Sequence, residues 1–131
     1  MVIDKVAWVR IEDGRVLCAR SRGKDLYYLP GGKREPGESD VQTLVREVTE
    51  EVGVSLRAES VSPLGTFEAQ ADGRDPGVTV RMTCFTGDYT GRLAPRSEVE
   101  ELAWLSYGDR HRVSTASQAV FDHLNEAGSL F

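Results

Sequence analysis

Apolar and polar positions alternate through "VIDKVAWVRIEDGRVLCARS", and the run is broken once, at Asp13-Gly14. An Asp-Gly pair tolerates the positive φ angles of a two-residue hairpin turn, so this stretch predicts two strands joined there. "LYYLP" predicts a short strand stopped by Pro30, and "GGKREPGE" a loop punctuated by Gly and Pro. The period then lengthens. Val41, Leu44, Val45, Val48 and Val52 fall on one stripe at helical spacing, which predicts a helix over 39–52. Ser39 and Gln42 fit a capping box, Asp40 suits the positive end of the helix dipole, and Gly53 suits a left-handed stop.

Past the helix, "SVSPLGTFEAQ" and "VTVRMTCFTGDY" read as strands on either side of a turn-rich loop, "ADGRDPG". "EVEELAWLS" holds a short strand around Trp104. "STASQAVFDHLNEAG" predicts a second helix, with Ala116, Val120 and Leu124 on its apolar side and Gly128 as its stop. The order β-β-β-α-β-β-β-α is neither doubly wound nor all-β. It predicts an α+β fold in which helices pack on a mixed sheet.

Composition narrows the class. A chain of 131 residues with 40% apolar and 28% charged content suits one globular domain over 1–131. No apolar run approaches the ~20 residues of a membrane-spanning helix. Asp4, Lys5 and Arg10 interrupt the N-terminal run, which argues against a signal peptide and predicts a cytoplasmic protein. A net charge of −5 disfavours a nucleic-acid polymer as partner and leaves room for a small phosphorylated one, given a metal ion. Cys18 and Cys84 lie in strand-like runs with no CxxC or His partner, so both are expected to be buried free thiols.

The first helix ends in a way that local electrostatics disfavours. Glu47, Glu50 and Glu51 crowd the C-terminal turns, where the dipole favours cations. Glu47 and Glu51 are like charges at i, i+4, which costs roughly 0.2–0.5 kcal/mol. The three acids span an arc of about 100° directly beside the apolar stripe. A solvated charged face is one reading. A cradle for a hard cation is the other, and it accounts for acids at the edge of the core with only Arg46 near enough to compensate. Gly31 and Gly32 would let the backbone approach a ligand closely, and Glu38 adds a fourth carboxylate. No D-x-D-x-D-G loop precedes the acids, so a calcium-binding hand is excluded.

Residues 32 to 54 read G-x5-E-x7-R-E-U-x-E-E-x-G-U, with U aliphatic, and Gly32, Glu38, Arg46, Glu47, Glu50, Glu51 and Gly53 fill it without departure. This segment resembles the Nudix box of the Nudix hydrolases, the MutT-like pyrophosphohydrolases. The resemblance implies an α/β/α sandwich with a mixed central sheet and helices on both faces. It implies hydrolysis of a nucleoside diphosphate linked to a moiety X, with Mg²⁺ or Mn²⁺ as cofactor. Carried over by position, Glu50 and Glu51 would be metal ligands, and Glu47 a ligand or the general base. The Gly31 carbonyl would be a further ligand. Arg46 would orient the glutamates, while Gly32 and Glu38 would support the loop.

Family members often recruit one more glutamate from outside the box. Glu98, Glu100 and Glu101 are the candidates, with Glu98 favoured as the most loop-like. Arg20, Arg22, Lys24, Lys33 and Arg34 are either phosphate contacts or ordinary surface charges. The box says little about X. "ADGRDPG", the residues near Trp104 and "RHRVSTAS" are expected to set specificity. A nucleoside triphosphate, an oxidised one included, is preferred over ADP-ribose or a nucleotide sugar. The ground is that the first predicted strand starts almost at Met1, leaving no N-terminal portion for dimer exchange. Ser114, Thr115 and Ser117, in place of an asparagine, weigh against an oxidised purine. Tyr27, Tyr28, Phe67 and Trp104 are the stacking candidates. A non-catalytic nucleotide-sensing domain would be expected to lack one of the three helix glutamates. Oligomeric state, a homodimer included, is left open.

Overall fold

Trp8 and Val9 mark where the first strand leaves one sheet for another. In the computed structural model, which describes all 131 residues, β1 (Val2–Trp8) lies in a four-stranded sheet, whereas β2 (Ile11–Glu12) and β3 (Arg15–Ser21) form the predicted hairpin in a second one. Asp13 and Gly14 close that hairpin at φ 53° and 73°. The remaining elements are β4 (Gly31–Gly32), α1 (Asp40–Val52), β5 (Ser55–Leu56), β6 (Ser62–Gln70), β7 (Thr79–Thr86), β8 (Tyr89–Thr90), β9 (Val99–Leu105) and α2 (Thr115–Glu126), with 3-10 turns at Ala58–Ser60 and Tyr107–Arg112.

The larger sheet runs β4-β1-β7-β6. Its β1–β7 pair is parallel and its other pairs antiparallel, so the sheet is mixed. The second sheet runs β2-β3-β9, and β5 pairs with β8 in a small third one. Side-chain alternation on β1 and β3 then divides the core in two. Val6, Trp8 and Leu17 face α1, where Leu44, Val48 and Val52 cover them. Ala7, Val9, Val16 and Cys18 face α2, under Ala116, Val120, Phe121 and Leu124. The helices therefore lie on opposite sides, as a mixed α+β fold with a helix on each face requires. No helix is long and apolar enough to cross a membrane.

Both cysteines are free and buried, as their apolar runs predict. Burial pushes both thiols well above their ordinary range, Cys84 up to about 12.

Two local expectations need correction. "LYYLP" does not form a strand. Tyr27 and Tyr28 bridge different partners, Val113 on one side and Ala19 on the other, and no ladder can extend when successive residues pair in opposite directions. The loop expected at Gly31-Gly32 is instead the short strand β4, in register with Ala7 and Val6. Packing explains why glycine stands there. A methyl group on Gly31 would collide with the Val6 carbonyl oxygen and stand 2.8 Å from the Ala7 Cα, so only a bare backbone lies this close to β1.

Candidate active site

The capping box forms as expected: the Ser39 hydroxyl accepts from the Gln42 N–H, and the Gln42 side chain accepts from the Ser39 N–H. This fixes the start of α1 and brings Glu38 under the helix. Glu38 accepts from the Glu35 N–H, the Thr43 hydroxyl and both the Nε and Nη2 of Arg46, at 2.8 to 3.0 Å. These bonds, Arg46 first, hold its carboxyl down to about 2. Arg46 reaches several glutamates at once. Its shorter bonds go to Glu38 and to Glu47 Oε1 at 2.8 Å, with Glu50 at 3.5 Å. Its guanidinium also donates to the Lys33 carbonyl, tying the loop after β4 to the helix. The loop 33–39 and the acidic turns of α1 are thus one charge-assisted network around one arginine.

At the other end of α1, the last carbonyls are satisfied by a segment far away in sequence. The Ala94 N–H donates to Val52, the Arg96 N–H to Glu51 and the Ser97 hydroxyl to Glu50, each at 3.0 Å. The Arg96 side chain lies across Gly53, so a cation does stand at the negative end of the dipole, supplied from outside the helix. Arg22 holds the same segment from the other side. Its N–H donates to the Glu98 carbonyl and its guanidinium to the Ser97 carbonyl, at 3.0 and 2.7 Å. Ser97 takes a left-handed φ of 54°, which turns the chain so that Glu98 faces the acids of α1.

The result is a cavity of about 270 Å³ lined by Tyr28, Glu47, Glu50, Glu51, Ser97, Glu98 and Val99. All three helix glutamates and Glu98 meet there. Glu100 and Glu101 do not. A register shift in the β3–β9 ladder leaves Glu100 unpaired in the strand, and its carboxylate binds Arg20 at 2.7 Å. Glu101 accepts from the Tyr27 hydroxyl. Of the basic residues, Arg34 pairs with Asp4 and Asp40, Arg20 with Glu100, and Arg22 holds the Ser97–Glu98 backbone, so these three have structural partners already.

Glu51 is the most perturbed acid. Burial and the neighbouring Glu47 push its carboxyl up to about 8, against the opposing hydrogen bond from the Gly31 N–H at 3.1 Å. Gly31 faces Gly31's β1 partner Ala7 at a non-hydrogen-bonded position of the ladder, so its backbone groups point away from β1 and toward the helix. A methyl group on Gly32 would lie 2.6 Å from the Glu47 carboxyl carbon, so that carboxylate occupies the space glycine leaves. As the side chains stand, no three acids form a ready-made ion cage, because Glu47 and Glu50 turn toward Arg46. The donor set nonetheless fits a hard divalent cation. It consists of carboxylate oxygens around one cavity, and Glu51 among them is largely desolvated beside Glu47, a crowding of like charges that a cation would relieve.

A second cavity, of about 230 Å³, opens on the other side of Tyr28 and Gly31. Ile3, Ala7, Leu29, Val80, Met82 and Ala116 make it mostly apolar, and Lys5, Asp72, Arg74 and Ser114 add polar groups. The "ADGRDPG" loop reaches it through Asp72, whose two carboxylate oxygens accept from the Thr115 N–H and hydroxyl. Ser114 caps α2 and its hydroxyl meets that of Ser117, so these hydroxyls, already poor substitutes for an asparagine, have partners in the fold. Among the stacking candidates, only Tyr28 lines either cavity. Tyr27 is buried beside Arg112, Phe67 packs on His123, and Trp104 lies near Asp13 and Arg15. Arg74 belongs to the "ADGRDPG" loop expected to set specificity, whereas Lys5 was not among the candidate site residues. A charged residue between Ile3 and Ala7, on the inward side of β1, was the available signal.

The fold and this acid-lined cavity define a class of α+β proteins in which a glycine strand, a loop and a helix present clustered glutamates. The solved ORF135 protein of E. coli shares the fold, with a TM-score of 0.74 at 28% identity over 96% of this chain and 92% of that one. A NUDIX hydrolase from Nitrosomonas europaea superposes with a TM-score of 0.75 at 24% identity, covering 100% and 93% of the two chains. The NUDIX domain profile matches residues 4–123, and the chain belongs to that family. It is 30% identical to the CTP pyrophosphohydrolase of Escherichia coli over 80% of this chain and 76% of that protein. It is 33% identical to a Mycobacterium tuberculosis protein provisionally named mutator protein MutT4, over 98% of this chain and 56% of the relative. The chain thus spans little more than half the length of that relative, and 61% of a Bacillus subtilis Nudix hydrolase named YvcI, to which it is 28% identical over 74% of this chain.

Proposed function

We propose that the chain acts, as one domain over 1–131, as a divalent-metal-dependent pyrophosphohydrolase on a small nucleotide, with nucleoside triphosphates as its preferred class. The observation that carries this reading is the meeting of Glu47, Glu50, Glu51 and Glu98 in one cavity beside a second, mostly apolar one. The two adjoining compartments suit a substrate with an anionic end and a nucleoside end. Glu50 and Glu51, with Glu47 and the Gly31 carbonyl, would hold Mg²⁺ or Mn²⁺. When bound, such an ion neutralises the diphosphate and lowers the pKa of water.

The chain's own groups do the rest. Glu98 has no ion-pair partner and its backbone is fixed from two sides, so it suits a base placed to take one proton from the attacking water. The water oxygen forms a bond to one phosphorus, the bridging P–O bond breaks, and the second phosphate leaves with its electron pair. Arg46 keeps the glutamates in place between turnovers.

The name of the E. coli relative, CTP pyrophosphohydrolase, adds CTP to the substrates worth testing, and the engaged hydroxyls of Ser114 and Ser117 give no support to a reader of oxidised purines. Initial rates for CTP, dGTP, 8-oxo-dGTP and ADP-ribose, with Mg²⁺ and with a chelator, test the reading. Metal-dependent turnover of a triphosphate, with ADP-ribose slower, is the expected result. ADP-ribose ahead by about tenfold or more in kcat/KM would overturn the substrate class. Failure of every nucleotide in Mg²⁺ and Mn²⁺ alike would overturn the hydrolase reading and favour a sensing domain.

A further inference from the structure

Lys5 stands where strand alternation calls for a core residue. Ile3 and Ala7, two positions away on either side, are buried, and its registered neighbour on β7, Met82, is buried as well. Lysine is costly on such a face unless its charge finds a partner. No salt bridge or hydrogen bond engages the ammonium here, and its charged neighbours act through space only. Glu51 and Glu47 attract it, and Lys33 and Arg74 repel it. The side chain lines the apolar cavity together with Tyr28 and Gly31, the two residues at the border with the carboxylate cavity. The only carboxylate lining the apolar cavity is Asp72, and Thr115 already engages both its oxygens. Arg74 lines the same cavity with no ion-pair partner. The space therefore holds two unpaired cations and one committed acid, a balance that calls for an anion.

We propose that Lys5 binds a phosphate group of the substrate, at the point where the anhydride passes from the carboxylate cavity into the apolar pocket. The inference rests on the pyrophosphohydrolase reading and deepens it by naming a binding residue outside the Nudix segment. A compact ammonium suits this place better than a guanidinium would, because it delivers a point charge from a short inward reach between two apolar neighbours. The position also explains why the charge belongs on β1. That strand alone borders β4 on one edge and the floor of the pocket on its α2 face.

The test is equilibrium binding by calorimetry in Mg²⁺, with an α,β-methylene nucleoside triphosphate and with the corresponding phosphate-free nucleoside. Lys5→Met keeps the length and suits the inward face, so the variant should fold with an unchanged or higher Tm. It should bind the triphosphate analogue about tenfold or more weaker, the worth of one charge-assisted hydrogen bond, and the nucleoside within about twofold of the parent. Lys5→Arg, which keeps the charge in a bulkier group, should recover part of the analogue affinity. Parent-like binding of the analogue by Lys5→Met would overturn the role, and so would an equal loss for analogue and nucleoside, which would make Lys5 a reader of the nucleoside. If that happens while Glu51→Gln still abolishes turnover, the Lys5 inference falls alone. If the parent neither binds the analogue nor hydrolyses any triphosphate, the hydrolase reading falls with it.

Discussion

The carboxylate cavity draws three of its four acids from two turns of α1, whereas the pocket on the other side of Tyr28 takes its lining from β1, β7, the 71–78 loop and the start of α2. The first is local in sequence and held by a dense network: Arg46 hydrogen-bonds to Glu38, Glu47 and Glu50, and the 94–97 segment caps the helix from outside. The second is assembled by topology and mostly apolar, with its cations unpaired. The contrast teaches that a site whose chemistry is fixed can sit on one element and be braced there, while a site that selects a ligand is spread across several. Tyr28 and Gly31 are the border, and a variant on either side should damage one function without the other.

The hardest way to break the carboxylate side is to remove a charge at its centre. Glu51→Gln, and likewise Glu50→Gln, should lower kcat about 10³-fold in Mg²⁺ and leave the fold intact, since glutamine keeps the size of the side chain, can still accept from the Gly31 N–H at position 51, and relieves like-charge crowding at the end of α1. Steady-state kinetics and thermal melts check both halves of this expectation. Turnover near the parent level in both variants would remove the glutamates from the chemistry.

Glu98 and Glu101 sharpen the comparison, since they lie three residues apart and the fold sends them to different places. Glu98→Gln should cost about 10²-fold in kcat with little change in KM, as expected for a lost general base. Glu101→Gln should leave kcat near the parent value, because its carboxylate serves the Tyr27 hydroxyl. Equal losses in the two variants, or none in Glu98→Gln, would place the base elsewhere, with Glu47 next in line.

How far the sequence could be read follows the same divide. The Nudix segment was legible because its residues are periodic on one helix and its caps are local: Ser39, Gln42 and Gly53 all do what their positions predict. The hairpin at Asp13-Gly14 was legible for the same reason. What escaped depended on distant partners. The strand at Gly31-Gly32 exists because β1 passes at glycine distance, and Arg96 answers the helix dipole from a loop more than forty residues beyond it in sequence, about as far as local patterns fail to reach. Lys5 drew attention only as an interruption of an apolar run, and its inward direction became visible once the register with Met82 was known.

Gly32 offers a gentler disturbance of the carboxylate side. A methyl group there would meet the Glu47 carboxylate, the movable end of a side chain, so Gly32→Ala should fold. It should displace that carboxylate by about 1 Å, from 2.6 Å to an ordinary van der Waals contact, and lower kcat about tenfold or more, because catalytic groups are sensitive to misplacements of this size. Nucleoside binding in the pocket across Tyr28 should stay as in the parent. A loss of nucleoside affinity alongside kcat would show that the two compartments are not separable.

The smallest effect concerns stability without metal. The Glu51 carboxyl lies near 8 in the folded chain against an ordinary 4.5, raised by burial first and Glu47 next. Its folded value is above its unfolded one, so the folded chain keeps a proton that the unfolded chain gives up between them. The stabilisation from that proton is complete below about pH 4.5 and is lost as pH rises toward 8. Glu38 works in the opposite sense: its carboxyl is held down to about 2, so its contribution is present above 4.5 and lost only as pH falls toward 2, outside this window. Between about pH 5 and about pH 8, therefore, the metal-free Tm should fall by about 4 °C or more, and Glu51→Gln should flatten that slope. Added Mg²⁺ should flatten it as well, by favouring the ionised carboxylate in the folded state. Lys5→Met, on the other side of the border, should keep a slope of the same sign. Parallel declines in the parent and Glu51→Gln would assign the pH dependence to another group and leave the acid-crowded end of α1 without its expected strain.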